Sequence, residues 1–155
     1  MEAVEYSPVI AAVKDMEGLQ RCFESESKVV FILFGDICNI ADIVSKVKQY
    51  GKIAMVHIDL INGLSTKEIA VDFIKKYTQA DGIISTKQML IKRANELGMY
   101  TIFRFFGIDS MAYENISKQL QMVRPDFIEV LPGVAPKVIK QICKQTNVPV
   151  IAGGL

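Results

Sequence analysis

The chain carries a single histidine, which stands two residues before an acid in the segment His57-Ile58-Asp59. An imidazole near a carboxylate can act as a general base, a hydrogen-bond donor to a ligand or a metal ligand. Alternation along a strand would place both side chains on one face, together with Met55. A hydrogen-bonded histidine of the core explains the pair equally well, so both interpretations stay open.

A guanidinium interrupts an apolar run, because Arg104 lies inside the segment Thr101–Phe106. This group cannot be deprotonated in a protein, so a buried arginine must meet an anion or water. Arg104 could form a fork for a phosphate or carboxylate ligand. It could equally form a structural ion pair with Glu129 or Asp59, and the sequence leaves the two roles open.

Two segments could hold an anion through their backbone amides. Ser85-Thr86-Lys87 follows a strand-like run, so a hydroxyl could cap the next helix while free amides and Lys87 face an anion. Gly153 and Gly154 follow the last such run, where glycines let a phosphate approach the backbone closely. Capping alone is a sufficient explanation of the first segment, whereas the second gains weight from following the seventh strand.

Seven apolar runs predict the strands that must position these residues. Most of the runs are continuously apolar, which is typical of strands buried on both faces of a parallel sheet. The predicted strands are Pro8–Val13, Val29–Phe34, Ile53–Asp59, Gly82–Ser85, Tyr100–Phe106, Phe127–Leu131 and Val148–Ala152.

The segments between the runs have the apolar stripe of a surface helix. Gly51 and Gly98 follow two of these segments, at the position where a left-handed residue that ends a helix is favoured. Asp109 and Ser110 are predicted to open another helix. The clearest stripe, in Ile40–Tyr50, consists of Ile40, Ile43, Val44 and Val47.

This alternation predicts an α/β fold, a TIM-barrel-like parallel βα repeat with seven strands visible, which lacks the last strand and helix of a full (β/α)8 barrel. An open doubly wound sheet is the alternative. We treat residues 1–155 as a single domain, truncated at its C-terminus. Because an incomplete barrel exposes two strand edges, we expect the natural protein to continue or a partner subunit to cover the gap, as in a homo-oligomer.

Parallel strands bring their carboxyl ends to one face, so the polar residues at those ends predict one ligand-binding site. We predict neither catalytic residues nor a metal site, because one histidine and scattered acids form no recognisable ligand spacing. The predicted ligand-binding residues are Lys14, Asp36, His57, Asp59, Ser85, Lys87, Arg104, Glu129, Gly153 and Gly154.

Composition argues against several classes of protein. The 155 residues carry a formal net charge of +1, so no overall field gathers nucleic acid or an anionic membrane. Three cysteines without a C-x-x-C pair indicate neither a disulfide framework nor a zinc site. No apolar run approaches membrane-spanning length, and the amino terminus lacks the pattern of a signal peptide. We therefore predict a cytoplasmic protein with no membrane partner.

Several local strings resemble those of one known family. They are Phe34-Gly35-Asp36-Ile37-Cys38-Asn39-Ile40, Val56-His57-Ile58-Asp59-Leu60, Ala80-Asp81-Gly82-Ile83-Ile84-Ser85-Thr86-Lys87, Arg104-Phe105-Phe106, Asp109-Ser110 and Pro125-Asp126-Phe127-Ile128-Glu129-Val130-Leu131-Pro132-Gly133. Together they resemble the bacterial glycerol uptake operon antiterminator regulatory family, over nearly the whole chain. Members of that family continue past the Gly-Gly segment through a final strand, and this sequence does not.

The resemblance implies a TIM-barrel-like regulator that responds to glycerol 3-phosphate and acts on the leader RNA of glycerol-utilisation genes to prevent premature termination of transcription. Glycerol 3-phosphate would be an effector, with no cofactor, and the protein would not be an enzyme. Some of the helix-face lysines, ordinarily a solvated surface, could contact the leader mRNA. The ligand contacts that we expect are the phosphate near Gly153 and Gly154, the hydroxyls near His57, Asp59 or Glu129, and charges tuned by Arg104 and Lys14.

An enzyme is the alternative function, because the TIM-barrel fold hosts many reactions of phosphorylated substrates. It would act on a small phosphorylated polyol, as an isomerase, an aldolase or a prenyl-type transferase. This alternative predicts a turnover that depends on His57 or Asp59. No catalytic lysine, nucleophile elbow or metal pattern supports it, so the regulator is our first prediction.

Overall fold

The structure is a computed structural model that describes residues 7–106 and 110–154, with the backbone alone for residues 110–115. Along these residues seven strands alternate with helices. The strands are β1 (Ala11–Val13), β2 (Val29–Ile32), β3 (Ile53–His57), β4 (Gly82–Ser85), β5 (Tyr100–Phe106), β6 (Phe127–Leu131) and β7 (Val150–Ala152). The helices are α1 (Met16–Phe23), α2 (Ile40–Gln49), α3 (Ile69–Tyr77), α4 (Gln88–Glu96), α5 (Ser110–Val123) and α6 (Pro136–Gln145), with a short 3-10 helix at Ile58–Leu60.

The fold is the TIM-barrel-like α/β fold that the sequence predicts, with parallel strands alternating with helices. The bounds of β4, β5 and β6 are those predicted from the apolar runs. Strands β1, β2 and β7 are shorter than predicted, and β3 ends at His57 instead of Asp59. Ile58 beyond the end of β3 is buried although it lies in the 3-10 helix, and Val9 before β1 is exposed, so the apolar run alone does not show where pairing starts or stops.

The chain divides into two compact units, residues 1–83 and 84–155, which we describe separately. In the first unit β2 pairs in parallel with β1 and β3, and Val30 lies opposite Ala11 and Ala54. The four residues of β2 are all buried. Helix α2 buries the predicted stripe, which consists of Ile40, Ile43, Val44 and Val47.

In the second unit β6 pairs in parallel with β5 and β7. Its register places Glu129 opposite Arg104 on one side and Ile151 on the other. Leu90 and Ile91 of α4 are fully or nearly fully buried and contribute to the core of this unit. That the two units act as a single domain over residues 1–155 stays a prediction.

Glycines end two helices, as predicted. Gly51 after α2 and Gly98 after α4 each have a φ of +69°, a conformation in which an L side chain is strained. Asp15 is the N-cap residue of α1, and its carboxylate accepts a hydrogen bond from Gly18 N at 2.6 Å. The structure begins α5 at Ser110, and Asp109, the other residue predicted to open it, lies outside the described residues.

A carboxylate stabilises the amino-terminal end of β3 in the first unit. Asp81 accepts hydrogen bonds from the Ala54 backbone amide at 2.8 Å and from Lys48 Nζ at 2.8 Å. We expect Asp81→Ala to lower the free energy of unfolding by about 1–3 kcal/mol, because the buried Ala54 amide loses its acceptor. Chemical denaturation measures this loss.

The matched control is Asp42→Ala, which removes an exposed acid from the first turn of α2. This substitution should cost about 0.5 kcal/mol, the usual effect of an acid near a helix amino terminus. Equal losses in the two variants would contradict a structural role for Asp81.

Candidate functional site

The predicted site residues lie inside strands or in the segments that follow the carboxyl ends of strands, the ends at which α/β folds place their ligands. In the first unit Lys14 follows β1, Asp36 follows β2, His57 is the last residue of β3, and Asp59 lies just beyond it. In the second unit Ser85 ends β4 and Lys87 follows it, Arg104 lies in β5, Glu129 lies in β6, and Gly153 and Gly154 follow β7.

In the first unit Asp36 shapes the turn that leads into α2. Its Oδ1 accepts hydrogen bonds from Cys38 N at 2.8 Å and Asn39 N at 3.0 Å. Asn39 returns the interaction, since its Oδ1 accepts from Asp36 N at 2.8 Å. One carboxylate oxygen of Asp36 is therefore engaged by the backbone, and a contact of this residue with a ligand stays a prediction.

The loops after β2 and β3 are bonded to each other. Ile37 N donates to Asn62 O and Asn62 N donates to Gly35 O, each at 3.0 Å. Gly35 has a φ of +116°, and Gly63 a φ of +88° with the Ile37 side chain packed against its open side. Sequence reasoning missed this pairing. The only signal for it is the pair of glycines shortly after the two strands, which could have indicated fixed turns.

The prediction that His57 and Asp59 share a strand face is wrong. His57 ends β3 and is 2% exposed, whereas Asp59 lies in the 3-10 helix and is partly exposed. Ile58 in this turn and Ile61 just after it are both buried, so the turn belongs to the core of the unit. Lys14, the remaining predicted residue of this unit, is exposed just beyond β1.

In the second unit Arg104 and Glu129 form a buried ion pair. Arg104 Nε lies 2.8 Å from Glu129 Oε2, and Arg104 Nη2 lies 3.4 Å from Oε1. The two side chains are 10% and 4% exposed. The parallel register of β5 and β6 places the two residues directly opposite each other. Of the two structural partners that the sequence offered for Arg104, Glu129 is the one observed.

The electrostatics of this pair depend on burial. Burial raises the pKa of Glu129, and the charge and hydrogen bond of Arg104 oppose the rise. The guanidinium also lies 5.2 Å from the ring centre of Phe106, which is 59% exposed at the end of β5. The ion pair therefore lies close to the point where β5 emerges at the surface of its unit.

Gly153 makes room for the Glu129 carboxylate. A Cβ built on Gly153 would overlap Glu129 Oε1 and would lie 3.0 Å from both Cγ and Cδ of that residue. The Gly153 amide donates to Val130 O at 3.0 Å, so the structure uses this amide to extend the β6–β7 pairing. The missing side chain is thus the property of Gly153 on which the local structure depends. A contact of Gly153 or Gly154 with phosphate stays a prediction.

The loop after β6 packs closely on the end of β7. Gly133 N donates to Gly153 O at 2.6 Å, and a Cβ on Gly133 would lie 2.8 Å from that oxygen. Gly154 has a φ of +70°, and the Leu131 side chain covers its open side. The turn lies at Gly133 and Val134 and overlaps the predicted turn Leu131-Pro132-Gly133, whose first residue ends β6. Its contact with Gly153 is a feature that sequence reasoning missed.

At the end of β4 the Ser85 hydroxyl is used by the backbone. Ser85 is fully buried, and its Oγ accepts a hydrogen bond from Lys87 N at 3.0 Å, just before α4 begins at Gln88. The hydroxyl thus shapes the turn before the helix. The N-cap residue of α4 is Lys87, which makes no side-chain cap hydrogen bond, so the prediction that a hydroxyl caps this helix is wrong. That Lys87 faces an anion stays a prediction.

The described part of the chain contains neither a cluster of metal-ligating side chains nor a membrane-spanning helix. Among the side chains of residues 7–106 and 116–154, no group of three or more histidines, cysteines or acids is arranged to hold a metal ion. None of the helices in these same ranges is long and apolar enough to cross a membrane.

Comparison with known proteins gives consistent matches. A sequence model of the family described as glycerol-3-phosphate responsive antiterminators matches residues 9–155. The uncharacterized protein YgcP of Escherichia coli K12 is 45% identical over 155 residues, which is all of this chain and 81% of that protein.

Two crystal structures are also similar. A glycerol uptake operon antiterminator regulatory protein from Listeria monocytogenes is 34% identical with a TM-score of 0.89, over 94% of this chain and 79% of that one. A glycerol uptake operon antiterminator-related protein from Thermotoga maritima is 39% identical with a TM-score of 0.82, over 94% and 81%. These matches extend along nearly the whole chain.

Proposed function

We propose a function for the chain from one established premise: it belongs to the glycerol-3-phosphate responsive antiterminator family. The protein senses glycerol 3-phosphate and, in response, acts on the leader RNA of glycerol uptake genes so that transcription continues past a terminator. Glycerol 3-phosphate is an effector in this proposal, and the protein has neither a resident cofactor nor a catalytic activity.

The observation that carries the ligand part of the proposal is the buried ion pair of Arg104 and Glu129. Glycerol 3-phosphate presents a phosphate and two hydroxyl groups. A guanidinium is the preferred partner of phosphate, and an ionised carboxylate accepts hydrogen bonds from hydroxyls. The pair thus offers both recognition groups side by side, within a segment that the family model matches.

Other predicted residues extend this proposal within their own units. In the first unit we propose His57 and Asp59 as partners of hydroxyl groups, and Lys14 and Asp36 as charges at the ends of their strands. In the second unit Gly154, Ser85 and Lys87 are proposed contacts, and Gly153 supports the carboxylate of Glu129. Each assignment rests on a position at a strand end.

RNA recognition requires a cluster of positive charge, because phosphate contacts supply most of the affinity of nonspecific binding. Helix α6 exposes Lys137, Lys140 and Lys144 at spacings of three and four residues, which lie on one face of a helix. We propose this face as an RNA contact.

Nascent RNA is made in the cytoplasm of a bacterium, so we expect the protein there. Self-association of the protein stays a prediction.

A filter-binding assay on the leader RNA tests the function directly. We expect glycerol 3-phosphate to increase the affinity of the protein for this RNA, because the family responds to that metabolite. Replacing Lys137, Lys140 and Lys144 with glutamine should weaken RNA binding. The slope of the logarithm of the binding constant against the logarithm of salt concentration should become less steep, by about one for each RNA phosphate that a lysine neutralises in the wild type. Titration of the same variant with glycerol 3-phosphate should be unchanged.

The assay tests the antiterminator function and the proposed RNA contact on α6 separately. RNA binding that is absent or equal with and without the metabolite would contradict the antiterminator proposal. RNA binding that is unchanged in the triple lysine variant would contradict the contact on α6 alone.

An enzyme acting on a small phosphorylated polyol is the second candidate. It is favoured by the burial of Glu129, which raises the pKa of this acid, because buried acids with a raised pKa are common in active sites. It predicts turnover of a glycerol phosphate that is lost in Glu129→Gln or in variants of His57. Coupled assays for isomerase and aldolase products measure this turnover.

A further inference from the structure

We propose that Glu129 makes the site specific for a phosphomonoester with a hydroxyl group next to its phosphate-bearing carbon, and that it rejects the ketone of the same carbon skeleton. This inference rests on the proposed function, because it concerns how that site chooses its ligand. The protein would then distinguish the reduced three-carbon phosphate, glycerol 3-phosphate, from its oxidised counterpart, dihydroxyacetone phosphate.

The geometry of the ion pair leaves one end of Arg104 for the ligand. Arg104 meets Glu129 through its Nε and Nη2 atoms, at 2.8 and 3.4 Å. Since a guanidinium is planar, a carboxylate on this edge leaves Nη1 directed away from it. In this proposal the phosphate binds at the end of the guanidinium, at Nη1 and the outer hydrogen of Nη2, and the carbon chain of the ligand turns toward the Glu129 carboxylate on the adjacent edge. The second carbon of glycerol 3-phosphate carries the hydroxyl that distinguishes it from the ketone.

The Glu129 side chain is a hydrogen-bond acceptor as long as it is ionised. Burial raises the pKa of Glu129 and Arg104 opposes the rise. The permanently charged guanidinium, with Nε 2.8 Å from Glu129 Oε2, pairs with the ionised carboxylate, which only accepts hydrogen bonds. A hydroxyl at the second carbon can donate to it. A ketone oxygen at that carbon cannot donate, and its own lone pairs would face the negative charge of the carboxylate.

The carboxylate is also fixed in place. Gly153 lies against Glu129 Oε1 on one side, and the charged Arg104 Nε lies 2.8 Å from Oε2 on the other. Glu129 lies in the middle strand of the three, between β5 and β7. Because the side chain has little room to rotate, the site cannot adapt to the ketone by turning its acceptor away. Selectivity follows from this rigidity.

Calorimetric titration of the wild-type chain with three ligands tests the inference. They are glycerol 3-phosphate, dihydroxyacetone phosphate and 3-hydroxypropyl phosphate, which lacks any oxygen at the second carbon. We expect glycerol 3-phosphate to bind at least tenfold more tightly than the ketone, which corresponds to about 1.4 kcal/mol. We also expect the ketone to bind more weakly than the deoxy compound, because repulsion adds to the missing hydrogen bond.

The Glu129→Gln variant adds a second readout. Its side-chain amide can donate to a ketone, so the preference for glycerol 3-phosphate over dihydroxyacetone phosphate should fall tenfold or more. Glu96→Gln is the matched control, because Glu96 is a 63% exposed acid on α4 whose partner is Arg93, and this variant should keep the wild-type preference.

Three outcomes decide the question. Wild-type protein that binds the ketone as tightly as glycerol 3-phosphate, or more tightly than the deoxy compound, would overturn the inference and leave the proposed function intact. An unchanged preference in a folded Glu129→Gln variant would do the same. Wild-type protein that binds none of the three ligands would overturn the proposed function and this inference with it.

Discussion

Replacing Arg104 with alanine should lower the free energy of unfolding by about 3–5 kcal/mol at pH 7, because it leaves a buried carboxylate without its counter-charge. Glu129 is 3% exposed, so water cannot easily take the place of the guanidinium. Chemical denaturation followed by circular dichroism measures the loss. A loss below about 1 kcal/mol would contradict the view that the two charges depend on each other.

The loss in the Arg104→Ala variant should depend on pH in a defined direction. Burial raises the pKa of Glu129 in the folded protein, and Arg104 opposes this rise. Without Arg104 the pKa of the folded carboxyl rises further above its unfolded value. The folded state then holds a proton that the unfolded state has lost, so the stability of the variant falls as the pH rises through this interval. Acidification from about pH 7 to about pH 5 should therefore reduce its deficit relative to the wild type.

Arg93→Ala is the matched control for this experiment. Arg93 is a partly exposed arginine of α4 whose Nη1 lies 2.8 Å from the exposed Glu96 carboxylate. Surface ion pairs contribute less than about 1 kcal/mol. We expect a small loss without the same recovery at acidic pH. A large loss would show that arginine truncation in this unit is costly for reasons other than a buried charge.

Replacing Gly153 with alanine should destabilise the protein by about 3 kcal/mol, because the added methyl group overlaps Glu129 Oε1. Overpacking costs about 1–3 kcal/mol by itself, and displacing the carboxylate weakens a buried ion pair as well. Thermal and chemical denaturation measure the change. The Gly98→Ala variant supplies the comparison, since a Cβ there meets nothing within 4 Å and only the φ of +69° is unfavourable.

A double-mutant cycle identifies the cause of the Gly153→Ala effect. In a Glu129→Ala background the methyl group has space, so adding Gly153→Ala should cost much less than it does in the wild type. A coupling energy of more than about 1 kcal/mol between the two sites is the expected result. Additive losses would mean that Gly153 is required for some reason other than the carboxylate.

The first and last residues of a strand are predictable where strand pairing extends along the whole apolar run. Strands β5 and β6 begin and end at the predicted residues. The prediction for β3 fails at its end because Ile58 is as apolar as the strand before it, yet it enters the core from a helical turn. The apolar character of Ile58 indicates that it is buried, but it does not indicate whether the backbone there is extended or helical.

The candidate site is predictable in its parts rather than in its contacts. A charged group inside an apolar run indicates that Arg104 needs a partner, and the sequence offers two acids for it. The choice of Glu129 depends on the register of β5 against β6, which residue types do not specify. The glycine after β7 indicates a close approach, but the group that approaches in the structure is the carboxylate of Glu129.

Isothermal titration of glycerol 3-phosphate into the wild-type chain and into Arg104→Lys tests the central claim most directly. Lysine keeps the positive charge but lacks the planar fork that can serve a carboxylate and a phosphate together. We predict that the wild type binds and that the variant binds at least tenfold more weakly, the loss of a charge-assisted hydrogen bond of about 1.5–3 kcal/mol. Equal affinity in the two folded proteins would contradict the assignment of this ion pair to the ligand site.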